Sequence, residues 1–278
     1  ATNVVITPDQ PVTIDDEQTP VEITVTNSFE DGGLTIEKIV DGPAAGLVPD
    51  VTEYTAQVVC TFGGQEVFNQ QLPFRVGSPA SVSDLPVGAE CTVTETDSQG
   101  AQDVSYAPNP PTVTVTNATS PVTVSVTNTY LAGSVRLAKT VEGPLAGLAP
   151  EGTEFTVEVG CELPDGFPGG PGPVPGYPTA VSIEAGPAGV AGQPVDVGPV
   201  PVGASCQVSE LDSNGASQTQ IVPDSFTIES SSQRVDVSVT NTYQPAALRI
   251  VKTLDGPGAG LVPPETVFTA EVVCVPPG

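Results

Sequence analysis

The lysines of this chain occupy one position of a repeated pattern and no other. There are three, and they lie in the segments LTIEKIVDGP, VRLAKTVEGP and LRIVKTLDGP as Lys38, Lys139 and Lys252. Each has the same alternating parity as the apolar residues before it, and alternate residues of a strand point to one face. A charge on a core-facing position needs a partner or a chemical role, because burying it alone is costly. The pattern therefore predicts strands that carry a lysine into an interior.

The lysine register extends over whole repeats. The lysines lie 101 and 113 residues apart, and so do the asparagines that end three strand-like segments, Asn27, Asn128 and Asn241. A cysteine follows each lysine 22 residues later, at Cys60, Cys161 and Cys274. Such self-similarity indicates tandem units. We expect an internal fragment of a longer protein: the C-terminal part of one repeat (1–30), two complete repeats (34–130 and 135–243) and the N-terminal part of another (247–278).

Composition favours an all-β fold. Val and Thr dominate and prefer pleated surfaces, 31 Pro and 29 Gly interrupt the runs, and no helical periodicity is sustained. A unit of about 100 residues with roughly seven short strands matches an immunoglobulin-like β-sandwich. The links between repeats are only a few residues long, which favours domains stacked in a rod.

The second repeat carries a Pro/Gly-rich insertion near residues 162–180. Its composition predicts an irregular, exposed loop. Two readings stay open: a tolerated surface insertion, or a loop that contacts a ligand.

Charge and missing residue types exclude several functions. The formal net charge is -26 at pH 7, which repels nucleic acid and anionic lipid. The absence of histidine removes the commonest general base and metal ligand, so we expect no enzyme, no cofactor and no metal site. No apolar stretch is long enough to span a membrane.

The cysteines of each complete repeat fall on separate predicted strands, and they are not spaced as metal ligands. The natural pairs are Cys60 with Cys91 and Cys161 with Cys206, whereas free buried thiols are the alternative. Disulfides imply an oxidising, extracellular setting. Cys274 has no partner in this sequence.

Parity also places an asparagine and a glutamate inside each complete repeat. Asn128 shares the apolar face of Val124 and Val126, and Asn241 holds the same place in the second repeat. Glu95 and Glu210 each follow a cysteine and a valine on one parity. Buried polar groups are costly when unpaired, so we expect Lys, Glu and Asn to meet in each repeat.

Contact between the lysine, glutamate and asparagine side chains leaves two chemical outcomes open. Burial lowers the pKa of a lysine and raises that of a glutamate, so a neutral amine can attack a carboxamide polarised by a carboxylic acid. The product is an isopeptide bond between lysine and asparagine, with loss of ammonia, across the first and last strands. The alternative is a buried salt bridge with an amide hydrogen bond and no covalent link.

The order of an LxIxK segment, a central ET or EL segment and a final VTNT segment resembles the collagen-adhesin B-type (CnaB-like) immunoglobulin fold, and in particular the tandem repeats of actinobacterial cell-wall-anchored surface proteins. The resemblance implies Lys38–Asn128 and Lys139–Asn241 as the linked pairs and Glu95 and Glu210 as the assisting acids. Asn27 and Lys252 would belong to bonds whose partners lie outside this sequence.

These features predict a segment of an extracellular stalk or fibre at the cell wall or in a surface appendage. Its partners would be neighbouring repeats and, in a filament, other copies. The alternative is an adhesin module whose loops bind a host or cell-surface ligand. Low aromatic content (5%) disfavours the adhesin, because interface hot spots favour Trp, Tyr and Arg.

Overall fold

The computed structural model describes residues 3–14 and 20–273. The described chain opens with two strands that pair antiparallel, β1 (Asn3–Thr7) and β2 (Thr24–Ser28). All their residues are exposed, and Asn27 lies opposite Val4 in this pair. Two complete β-sandwiches follow, so the predicted all-β, tandem fold is confirmed.

The first sandwich contains eight strands, one more than the roughly seven expected. They are β3 (Asp31–Asp41), β4 (Tyr54–Phe62), β5 (Gln65–Phe74), β6 (Ala80–Pro86), β7 (Glu90–Asp97), β8 (Asp103–Ala107), β9 (Thr112–Thr114) and β10 (Val122–Thr129). One sheet has the order β6-β3-β10-β8 and the other β5-β4-β7-β9. The first and last strands, β3 and β10, are neighbours and run parallel.

The second sandwich repeats this topology. Its strands are β11 (Ala132–Glu142), β12 (Glu154–Glu162), β13 (Thr179–Glu184), β14 (Val195–Pro201), β15 (Ser205–Glu210), β16 (Gln218–Val222), β17 (Ser225–Thr227) and β18 (Arg234–Thr242). The sheets are β14-β11-β18-β16 and β13-β12-β15-β17, with β11 and β18 parallel.

Alternation of side chains builds each core. On β4, buried and half-buried residues alternate from Tyr54 to Cys60, as expected for a strand with one face on the core. The same alternation on β10 buries Val124, Val126 and then Asn128. A polar residue is therefore carried into the interior by a pattern that is otherwise apolar.

Each sandwich has one disulfide, between two adjacent strands of the same sheet. Cys60 of β4 lies directly opposite Cys91 of β7 and is bonded to it. Cys161 of β12 is bonded to Cys206 of β15 in the same arrangement. Each bond should stabilise its domain by about 4 kcal/mol, because it closes a loop of 31 or 45 residues in the unfolded chain.

The insertion of the second repeat is irregular as predicted, and about half of its residues are exposed, but it also has buried residues that the expectation of an exposed loop missed. Phe167 is only 3% exposed and its ring contacts Tyr130 of the first repeat edge-to-face, with centroids 5.3 Å apart. Tyr130 and Ala44 belong to the hydrophobic cluster of the second repeat. The backbone also approaches closely here, since a Cβ on Gly100 would lie 2.7 Å from the Gly166 carbonyl oxygen. The insertion therefore braces one repeat against the next.

Residues 244–273 are all described and contain no strand, only a short 3-10 turn, Ala259–Leu261. This turn has counterparts in the complete repeats, Ala45–Leu47 and Ala146–Leu148. Cys274 lies outside the described residues. In the described parts of the chain, no helix has the length and apolar character needed to cross a membrane.

Candidate cross-linking site

The strand register brings Lys38 and Asn128 to one place. Lys38 of β3 lies opposite Val126 of β10, and Asn128 lies opposite Val40, so the two residues are offset by two positions on adjacent parallel strands. Alternate positions of a strand share a face, and both residues face the core. Lys38 is 5% exposed and Asn128 is fully buried. A lysine side chain is long enough to span such a diagonal.

The acid comes from the facing sheet. Glu95 of β7 accepts a hydrogen bond from Lys38, with Nζ and Oε1 2.7 Å apart, and both side chains are almost completely shielded from solvent. The Tyr106 hydroxyl accepts a hydrogen bond from the backbone N–H of Glu95 at 3.0 Å, which fixes the strand at this point. The site thus joins the two layers of the sandwich.

Aromatic rings enclose the amine. Lys38 Nζ lies 4.1 Å from the centroid of the Tyr54 ring and 5.5 Å from that of Phe74. The hydroxyls of Tyr54 and Tyr130 lie 3.1 Å apart. Tyr130 also donates toward the Ser98 carbonyl, which accepts from Asn128 Nδ2 at 2.9 Å. The carboxamide nitrogen is therefore held at a fixed acceptor.

Two acceptors at the centre of this site have no donor. Glu95 Oε2 and Asn128 Oδ1 are the buried side-chain atoms without a hydrogen-bond partner in the part of the chain that the structure describes. Burial raises the pKa of the Glu95 carboxyl, and the neighbouring Lys38 and Asn128 side chains oppose that rise. Buried polar groups are normally satisfied, so two unpaired acceptors at one site are unusual.

Burial shifts the acid–base balance of the pair. It lowers the pKa of Lys38 to about 8, although the hydrogen bond that Lys38 donates to Glu95 opposes the shift. It raises the pKa of Glu95, against the opposing effect of Lys38. Both shifts favour the neutral forms, because a charge loses its hydration in the interior.

The second repeat assembles the same three groups. Lys139 of β11 and Asn241 of β18 are fully buried and again offset by two positions on parallel strands. Lys139 Nζ donates to Glu210 Oε1 and lies 4.1 Å from the centroid of the Phe155 ring. Burial lowers the pKa of Lys139. Asn241 Nδ2 donates to the Ser213 carbonyl at 3.1 Å, as Asn128 does to Ser98.

A threonine that the sequence analysis did not identify completes the second site. The hydroxyl oxygen of Thr219 lies 3.0 Å from Glu210 Oε2 and 3.0 Å from Asn241 Oδ1. Thr219 of β16 lies directly opposite Asn241, a position held by Val104 in the first repeat. Threonine is common in these strands, so the sequence carried no signal for this role.

Asn27 and Lys252, the expected equivalents in the two terminal segments, have no such surroundings. Asn27 is exposed on β2. Lys252 is exposed, donates to the Thr253 carbonyl and lies 4.6 Å from the centroid of the Phe268 ring. Within residues 3–14 and 20–273, no group of three or more Cys, Asp or Glu could hold a metal ion.

Comparison with known proteins gives a family and a set of structural neighbours. No curated protein matches the chain. Similar solved structures include a major pilin (T3.2) of Streptococcus pyogenes, which is 13% identical in sequence and has a TM-score of 0.38. The match covers 77% of this chain and 98% of that pilin. A second S. pyogenes major pilin is 13% identical and has a TM-score of 0.40, and the match covers 78% of this chain and 100% of that pilin. The Bacillus anthracis TIE protein is 15% identical and has a TM-score of 0.37, and the match covers 80% of this chain and 36% of that protein.

The family match covers both sandwiches. The model of a domain of unknown function, DUF5979, matches residues 34–131 and again residues 135–244. These two segments make up most of the chain and contain both Lys–Glu–Asn sites. The chain therefore belongs to the DUF5979 family, whose domain it contains twice.

Proposed function

We propose that this chain is a structural segment of an extracellular surface stalk or fibre, in which each repeat is closed by a Lys–Asn isopeptide bond. One observation carries the proposal: both repeats bring a buried lysine and a buried asparagine, at the same register of the first and last strands, to a shielded glutamate side chain of the facing sheet. The linked pairs are Lys38–Asn128 and Lys139–Asn241, with Glu95 and Glu210 as the assisting acids. The division into four repeat units, two of them partial, belongs to the same proposal.

Proton accounting in the first repeat supports the covalent reaction. If Lys38 and Glu95 form an ion pair, Glu95 Oε2 and Asn128 Oδ1 both lack a donor. If one proton moves from Lys38 to Glu95, the amine becomes a nucleophile, and a proton on Oε2 can be donated to Oδ1. The protonation state that satisfies the buried oxygens is therefore also the reactive one.

The reaction then balances within the site. Lys38 Nζ attacks Asn128 Cγ and forms the new C–N bond, while the Glu95 proton neutralises the developing charge on Oδ1 and returns to Glu95 when the carbonyl re-forms. The bond from Cγ to Nδ2 breaks, and Nδ2 leaves as ammonia with the proton that Nζ gives up. Each site reacts once, so the proposal includes no turnover of an outside substrate and no cofactor.

The architecture suits a stalk. Because β3 and β10 run parallel, the chain enters a repeat at one end and leaves it at the other. The insertion braces consecutive repeats through Phe167 and Tyr130, which limits swing at the junction. Disulfides are typical of extracellular proteins. The resemblance to CnaB-like repeats of actinobacterial surface proteins points the same way.

The adhesin alternative gains no support from the insertion. A contiguous patch of Phe167 and Tyr177 would have provided a ligand surface, but Phe167 is buried against the first repeat and Tyr177 is half-buried. We therefore propose neighbouring repeats and other copies of the protein as partners.

Intact mass tests the proposal directly. After reduction of the disulfides, the full chain is expected to weigh about 34 Da less than its sequence requires, because two ammonia molecules are lost. Peptide mapping should place one link at Lys38–Asn128 and the other at Lys139–Asn241. An unmodified mass would mean that the three groups form only a buried polar network.

The first cross-link is expected to form fastest at intermediate pH. The reactive pair needs one shared proton: above about pH 8, the lowered pKa of Lys38, the pair loses it and Glu95 has none to donate. In acid, below the raised pKa of Glu95, the pair gains a second proton and the amine is charged. The rate should therefore fall on both sides, as in other acid–base reactions.

The measurement uses chain that has been recovered unfolded and is then refolded by dilution at several pH values on either side of 8. Samples are quenched with acid and the linked peptide is quantified by mass spectrometry. Formation of the Cys60–Cys91 disulfide in the same samples reports folding. A rate that rises through pH 8 and then levels off would indicate a simple amine nucleophile without the Glu95 proton.

A further inference from the structure

The second site has a hydroxyl group, that of Thr219, beside its acid and its amide, and it has Phe155 where the first site has Tyr54. Thr219 Oγ1 lies 3.0 Å from both Glu210 Oε2 and Asn241 Oδ1, whereas Val104 leaves the corresponding oxygens of the first repeat without a partner. Lys139, Glu210 and Asn241 have the same strand register, Lys–Glu hydrogen bond and amide–carbonyl hydrogen bond as their counterparts. Thr219 lies on β16 at the edge of its sheet, and its hydroxyl reaches into the site.

A threonine hydroxyl has one proton, and both neighbouring oxygens are acceptors. If Glu210 is ionised, the hydroxyl can donate to only one of these two oxygens, and the other has no hydrogen-bond donor. If Glu210 carries a proton on Oε2, it can donate to Thr219, which then donates to Asn241 Oδ1. All three oxygens are satisfied only in this second arrangement.

From this geometry we propose that Thr219 relays the proton from Glu210 to the Asn241 carbonyl oxygen during formation of the second cross-link. The inference rests on the proposed function and adds a catalytic residue to one of its two sites. The first repeat has no relay, since Val104, which carries no hydroxyl, lies opposite Asn128. The two repeats therefore form the same bond through different proton paths.

The relay balances without an outside reactant. Lys139 gives one proton to Glu210, and its neutral Nζ attacks Asn241 Cγ. As negative charge develops on Oδ1, the Thr219 proton moves to Oδ1 and the Glu210 proton moves to Thr219 Oγ1. Collapse of the intermediate returns these protons along the same path, and Nδ2 leaves as ammonia with the second proton lost by Nζ.

The test compares the two links within one molecule. Full-length chain carrying Thr219→Val or Thr219→Ser is refolded from the unfolded state, quenched at intervals and digested, and each linked peptide is quantified. We expect Thr219→Val to slow the Lys139–Asn241 link on the order of 100-fold, the low end for a positioned proton donor, and to leave the Lys38–Asn128 link unchanged. Thr219→Ser retains the hydroxyl and should form both links at the wild-type rates.

Folding and chemistry are separated in the same samples. Formation of the Cys161–Cys206 disulfide reports folding of the second repeat, so a slow link in a chain with that disulfide is a chemical defect. Equal rates for wild type and Thr219→Val would overturn the relay and leave the proposed function intact. A wild type linked only in the first repeat would overturn the relay and restrict the proposed cross-link to that repeat. Absence of both links in the wild type would overturn the proposed function and the relay with it.

Discussion

Replacing Glu95 by alanine is expected to abolish the first cross-link and leave the second. The reduced chain would then show a deficit of about 17 Da relative to its own sequence, against about 34 Da for the wild type. Glu95 is the hydrogen-bond partner of Lys38 Nζ, and its side chain is almost fully buried. Without it, nothing takes the Lys38 proton or neutralises the charge that develops on Asn128 Oδ1. Glu210→Ala should abolish the second cross-link and leave the first, and the double variant should show no mass deficit.

Two further variants make this result specific. Glu90 lies on the same strand as Glu95 but is exposed, so Glu90→Ala should retain the full deficit of about 34 Da. Glu95→Gln preserves the shape of the side chain but cannot accept the Lys38 proton, so it should lose the first link as Glu95→Ala does. A first link that forms normally in Glu95→Gln would contradict the acid role, because only hydrogen bonding would then be required.

Alternation along strands is the reason that the interior of the sites could be predicted from sequence. Lys38 lies two residues from Ile36, and Asn128 two residues from Val126, so a strand that buries the apolar residue must also bury the polar one. Repetition in step then indicated which groups lie at equivalent places. The structure puts both lysines and both asparagines at 5% exposure or less.

What the sequence could not supply depends on contacts between distant segments. Proline and glycine in the insertion predict irregular backbone, but burial of Phe167 requires the Tyr130 ring of the preceding repeat as a partner. The role of Thr219 depends on which strand lies next to β18, and that is a matter of sheet order. Composition and period-two patterns are local, so they carry no information about either contact.

Stretching a single chain should reveal the cross-links most clearly. Lys38 and Asn128 lie 90 positions apart, and the segment between them extends to roughly 300 Å when a domain unfolds under load. Force applied at the two ends of the first repeat enters through β3 and leaves through β10, so a bond between these strands diverts it from the rest of the domain. We therefore expect the wild-type repeats to give no unfolding step.

Removing the first bond should release a step whose length the disulfide controls. In Asn128→Ala the first repeat can unfold, but Cys60–Cys91 retains 31 residues, so the step should be roughly 200 Å. Reducing agent frees that loop and should lengthen the step to roughly 300 Å. Asn117→Ala, which alters an exposed turn, is the matched control and should behave as the wild type does. Steps of the longer length in reduced wild-type chain would mean that hydrogen bonds and packing alone hold β3 to β10, and the repeats would then extend under a load that a covalently closed stalk resists.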